Sequence, residues 1–246
     1  MEIVANAPVL APVKRPGRRY DKVFFLVMTL LLLVIALIGF GRSYYLAGVF
    51  HAPLPAPILH VHGALNTLWM ILLVVQAGLV SAKRIRWHMT LGIFGFCLAL
   101  TMVVVGFIVS ANQVHRYQHD PHFDVLSFET IPFIEEVCFA VLAGFAFALR
   151  RKAAAHKRLI LLATIAMMGA ALSRFPGQNH NGTLAEYGMY GLLVVMMAYD
   201  LWALRTIHLA TVLGSALIVA YMNLAAPIGH TAPWHRFALW MQSLQL

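Results

Sequence analysis

Seven runs of about 20 apolar residues recur along this chain, at 22–41, 58–80, 88–110, 128–149, 156–174, 184–204 and 206–227. A helix of that length spans the roughly 30 Å of hydrocarbon in a bilayer. The runs lack the alternation of a barrel strand, and a segment in lipid must satisfy its own backbone hydrogen bonds, so each is predicted to be helical. The fold class predicted is all-α, a seven-transmembrane-helix bundle, with one lone helix followed by three helical hairpins. Composition agrees: 61% of the residues are hydrophobic, 11% are charged, and mean hydropathy is +0.78, which is the signature of a chain whose solvent is lipid. No long polar or low-complexity stretch offers a linker. A single membrane domain over 1–246 is expected, with a basic segment at 1–21, helices over 22–227 and an outer amphipathic tail at 228–246. The first run follows "KRPGRRYDK" and is too long for a signal-peptide core, so it reads as a retained helix.

Charge orients the bundle. The net charge of +9 comes from short clusters between apolar runs, which argues for topology and against a nucleic-acid surface. With the N-terminus inside, fourteen of the eighteen Lys and Arg residues fall on inner segments, and only Arg42, Arg116, Arg174 and Arg236 fall outside. The positive-inside rule then puts the N-terminus in the cytoplasm and the C-terminus outside. The same map places nine of the twelve histidines and six of the nine acids on the outer side. The last lysine is Lys157, so no lysine in the final helix can carry a retinal Schiff base. The phosphate-loop, dinucleotide, nucleophile-elbow and H-E-x-x-H motifs are all absent.

Two polar stripes interrupt the apolar runs. In "ILHVHGALNTLWMILLVVQ", His62, Asn66, Trp69 and Gln76 share one helix face, while His60 points elsewhere. Polar groups inside a bilayer are costly unless they face the bundle interior, so Asn66 and Gln76 are expected to bond to other helices. In "FETIPFIEEVCF", Glu135 and Glu136 fall about 10 Å below a helix start near Phe128, with Pro132 expected to kink the helix above them. Two adjacent carboxylates there need a cation, a proton or an arginine, and Arg174 in "ALSRFPG" is the expected arginine. Simple helix packing and a structural Glu–Arg clamp remain alternatives for these groups. In the sixth run Glu186 lies near the outer mouth and Asp200 near the inner end, where Arg205 can neutralise it.

The outer loops add "HRYQHDPH", read as a solvated segment, "GQNHNGT" with His180, and "IGHTAPWHR" with His230 and His235, either of which can cover the site as a lid. The tail "HRFALWMQSLQL" suits the membrane interface through Trp234 and Trp240. Cys97 and Cys138 read as small buried hydrophobes. Each inner loop ends in basic residues and then a histidine opening the next helix, His88, His156 and His208. This is a short parallel repeat, compatible with interfacial capping or with haem ligation.

The functional expectation is an outward-facing metal site with His62, Glu135, Glu136, His180 and His230 as ligands, and with Asn66, Trp69, Arg174 and Glu186 binding substrate or balancing charge. A transition-metal ion is the expected cofactor and haem b the second candidate, for redox or cofactor handling. A proton-coupled or small-solute carrier or receptor, or an accessory subunit of a membrane complex, stays open beside it. The expected partners are the lipid bilayer and other membrane subunits, with no nucleic acid.

"HVHGALNTLWMILLVVQ", "WHMTLG" and "AHKRLILLATIAMMGAALSRFP" together resemble a family of uncharacterised bacterial multipass inner-membrane proteins, from about His60 to Trp240. The resemblance implies a multipass protein of a bacterial inner membrane and brings no activity or site residue with it.

Overall fold

The computed structural model describes residues 20–53, 55–117, 124–176 and 183–243, with 114–117 described by backbone alone. The basic N-terminal segment up to residue 19, His119, His122, His180 and Asn181 lie outside the described residues. Within them the chain is helical and has no strand. The helices are α1 (Asp21–Gly39), α2 (Pro57–Ser81), α3 (Ile85–Tyr117), α4 (Val125–Phe128), α5 (Thr130–Ala148), α6 (Ala153–Ala166), α7 (Met168–Leu172), α8 (Thr183–Leu204), α9 (Leu209–Gly229) and α10 (Ala232–Ser243). A π-helical turn, Gly41–Tyr45, follows α1.

Among the described residues six segments are long and apolar enough to cross a membrane: α1, α2, α3 over Ile85–Gln113, α4 with α5 over Val125–Ala148, α8 and α9. Their outer faces are apolar. On α1, Met28, Leu32, Ala36 and Gly39 are buried at helical spacing, while Val27, Leu30, Leu31, Val34, Leu37 and Ile38 are exposed. That is the pattern of a helix with one side against protein and the other against lipid. Cys97 also faces outward, whereas Cys138 is buried, and neither is in a disulfide.

The remaining apolar run, 156–174, departs from the expectation of one continuous helix. It divides at Met167 into α6 and α7, and the Met167 amide donates to Thr164 in a tighter turn at 3.2 Å. Burial explains why the backbone tolerates the break. Residues 161–166 are consecutive and each no more than 1% exposed, so α6 is enclosed on every side, by α5, α9, α1 and α8. Irregular backbone at membrane depth is stable only where protein covers it. The Tyr221 hydroxyl, from α9, donates to the Ala166 carbonyl at 2.7 Å, supplying a partner at the break. Trp69 of α2 donates through Nε1 to the Thr164 hydroxyl at 3.1 Å. At Gly39, α1 crosses α7 so closely that an added Cβ would collide with the Ala171 carbonyl.

A second interruption falls at Glu129, between α4 and α5. Pro132 accounts for it: with no N–H it cannot bond to the carbonyl four residues back, and its ring crowds that position. The irregular residue is therefore one turn above the proline.

Candidate functional site

Counting from Val125 rather than Phe128, Glu135 and Glu136 are about 15 Å down the segment. They sit near the middle of the Val125–Ala148 span and deeper than the sequence suggests. Their neighbours differ because adjacent helical residues point about 100° apart. Glu135 faces the broken helix: its Oε2 is 3.6 Å from where a Cβ on Gly169 would lie, and the Tyr221 hydroxyl is 4.0 Å from the same point. Arg174 and Cys138 are within electrostatic reach of Glu135. Glu136 faces α3, its carboxylate filling the hollow left by Gly106. The Glu136 Oε1 is buried without a hydrogen-bond partner among the described residues.

Arg174 does not close a clamp on the pair. Its Nη1 donates to the Ala170 carbonyl at 2.5 Å, and its guanidinium lies 5.0 Å over the Phe40 ring. Among the described residues the ion pairs are Lys157–Asp21 and Arg158–Asp200. The second corrects the expectation that Arg205 neutralises Asp200. Arg158 is 1% exposed and Asp200 0%. Arg158 Nε donates to Oδ1 and Oδ2 at 2.9 and 3.1 Å, and Nη2 also bonds to Oδ1. The Thr211 hydroxyl and the His208 amide donate to Oδ2 at 2.5 and 3.1 Å.

A third carboxylate joins the interior. Glu129 is 1% exposed, has Ser110 of α3 beside it, and keeps a buried Oε2 without a partner. In the sequence Glu129 counts among the six acids assigned to the outer side. Its signal was spacing: Glu129 and Glu136 are seven residues apart on one helix face, opposite Ser110 and Gly106, four apart on α3. The rings of Phe107 and Phe133, centroids 5.2 Å apart, also pack across this interface.

The α2 stripe behaves differently from expectation. Asn66 bonds within its own helix, its Nδ2 donating to the His62 carbonyl at 2.9 Å and to His62 Nε2 at 3.2 Å. His62 Nδ1 is buried and has no partner among the described residues, and the same holds for Gln76 Oε1. Trp69 is the stripe member that links helices, through Thr164 and an edge-on contact with Phe139.

Where α4, α9 and α10 meet, His230 is exposed at the end of α9. The Ser127 hydroxyl bonds to the Gly229 carbonyl at 3.1 Å and to His235 Nε2 at 3.2 Å. Asp124 caps α4 by accepting from the Ser127 amide at 3.1 Å. Ser127 holds the Asp124 carboxyl below its ordinary value, with His235 and His230 adding to the effect. The tail folds back as α10 on α3 and α4. Trp234 is buried there, with Nε1 donating to the Leu126 carbonyl at 2.6 Å, and Trp240 is exposed. Glu186 is exposed in the first turn of α8, where an acid complements the helix dipole.

Of the predicted ligands, His180 lies outside the described residues. No three His, Cys, Asp or Glu side chains among the described residues come together to hold a metal ion. Depth is the reason: His62 is about 8 Å below the start of α2, the carboxylates are about 15 Å below Val125, and His230 remains at the rim. The geometry instead joins Glu135 to the broken helix and Glu136 to α3, a pair of midspan acids without a salt-bridge partner among the described residues. No family model, curated protein sequence or solved structure matches this chain.

Proposed function

We propose that this chain is a proton-linked carrier of a bacterial inner membrane, crossing it seven times with the N-terminus inside. In this reading α6 and α7 together form the fifth crossing, and Glu135 and Glu136 take up and release the transported proton. The observation that carries it is the placement of two adjacent carboxylates at midspan, with Glu135 against a helix that is interrupted at the same depth. Ionisable groups at that position are expensive in lipid and mark proton or solute paths, and interrupted helices line such paths in transporters. The basic inner segments support the orientation, and the resemblance of the sequence supports the bacterial membrane.

The test needs no knowledge of the solute. Dicyclohexylcarbodiimide reacts with protonated carboxyls in apolar surroundings, so mass spectrometry of treated protein should place the adduct on Glu135 or Glu136, with labelling that falls as pH rises. In pyranine-loaded proteoliposomes the wild type should dissipate an imposed pH gradient, and Glu135→Gln and Glu136→Gln should each slow this at least tenfold. A double Gln variant that moves protons like the wild type, together with unlabelled carboxyls from pH 5 to 9, would overturn the reading.

A further inference from the structure

His88 and His156 occupy the same position in two hairpins. Each is the fourth residue of its helix, α3 or α6, and each follows a basic loop. The fold brings them together at the inner end, with ring centroids 6.4 Å apart and planes steeply inclined, at 76°. In each case the ring lies beside a backbone carbonyl from the preceding helix of its own hairpin. His156 Nδ1–H donates to the Ala146 carbonyl at 2.8 Å, which fixes the tautomer and leaves Nε2 with a free lone pair. The Gln76 carbonyl lies beside the His88 ring, whose Nδ1 is buried without a bonded partner, as is the side-chain Oε1 of Gln76.

We infer that His88 and His156 hold a transition-metal centre between them. A metal about 2.0 Å from one nitrogen of each imidazole sets the two ring centres about 6 Å apart when the nitrogens approach from opposite sides, which is the spacing found. Metal-bound histidines donate their other N–H to a carbonyl or carboxylate, the arrangement His156 already has. Imidazole suits iron, copper, nickel and zinc. Two protein ligands are too few for a closed structural site, so the metal must bring further ligands: the porphyrin of a b-type haem, or water on a free ion. Phe147, 6.3 Å from His156 and 5.0 Å from Phe96, gives the site an aromatic wall, and the basic loops holding Arg84, Arg86, Arg150 and Arg151 supply cations for anionic haem edges. This site is at the helix ends, away from the midspan carboxylates, and does not depend on the proton-carrier reading.

The test is addition of hemin, and separately of Co(II), to full-length protein purified in mild detergent after chelation. A Soret band that titrates to one equivalent with hemin, and sharpened α and β bands on dithionite reduction, identifies haem. Visible d–d absorption with one equivalent of Co(II) and no hemin uptake identifies a free ion. Either response should weaken at least tenfold in His88→Gln and in His156→Gln and persist in His230→Ala. His88→Met serves if a Gln variant does not fold, since a thioether retains haem with a shifted spectrum. Wild-type protein that binds neither probe at micromolar concentration, or Gln variants that bind as the wild type does, would overturn the inference while leaving the carboxylate experiment untouched.

Discussion

At the scale of single residues, the Arg158–Asp200 pair shows how the interior handles charge. Every oxygen of Asp200 has donors, and Arg158 Nη1 also donates to the Ala154 carbonyl at 2.9 Å. Removing one partner strands the other in the core, so Arg158→Ala or Asp200→Ala should cost about 3–5 kcal/mol, whereas Arg158→Met combined with Asp200→Leu should cost much less. Thermal unfolding in detergent measures both. The sequence showed an acid near the inner end but not its partner, because Arg205 is closer along the chain while Arg158 is 42 residues away. Arg205 is in a turn with φ of 62°, outside α8. Glu135 and Glu136 were legible simply because charge is rare in apolar runs. Their depth was not, since it depends on the helical turn upstream of Pro132.

At the scale of elements, α9 begins on a titratable cap. His208 Nδ1 accepts from the Ala210 amide at 3.1 Å, which it can do only while that nitrogen is unprotonated. Burial, and then the Arg158 charge, lower the His208 pKa from 6.5, against the opposing pull of Asp200; Lys157 lowers it further. The unfolded chain therefore takes up a proton that the folded one refuses. Stability should fall as pH drops through about 6.5 and level off only below the folded value. His208→Ser retains an oxygen cap and should flatten this slope in melts recorded from pH 8 to 5. The helices themselves were readable from run length. The break at Met167 was not, because "IAMMGAA" contains no proline. The interruption depends on enclosure by four other helices and on Tyr221, contacts that no local pattern encodes.

At the scale of the whole molecule, the chain places at its centre a helix that carries Lys157 and Arg158. Outer helices such as α1 offer lipid an apolar face, and α6 is enclosed by neighbours that come from both earlier and later in the chain. The arginine in its second turn meets its counter-ion only when α8 has been made. Synthesis must therefore pass through a stage in which a charged, unpaired segment waits at the insertion machinery. A polypeptide ended at residue 182 should stall there and turn over rapidly in pulse-chase labelling, and Arg158→Leu in that same shortened chain should prolong its lifetime. A buried ion pair that joins two helices made at different times thus ties the order of synthesis to the order of packing: Arg158 should gain its partner only once α8 has emerged.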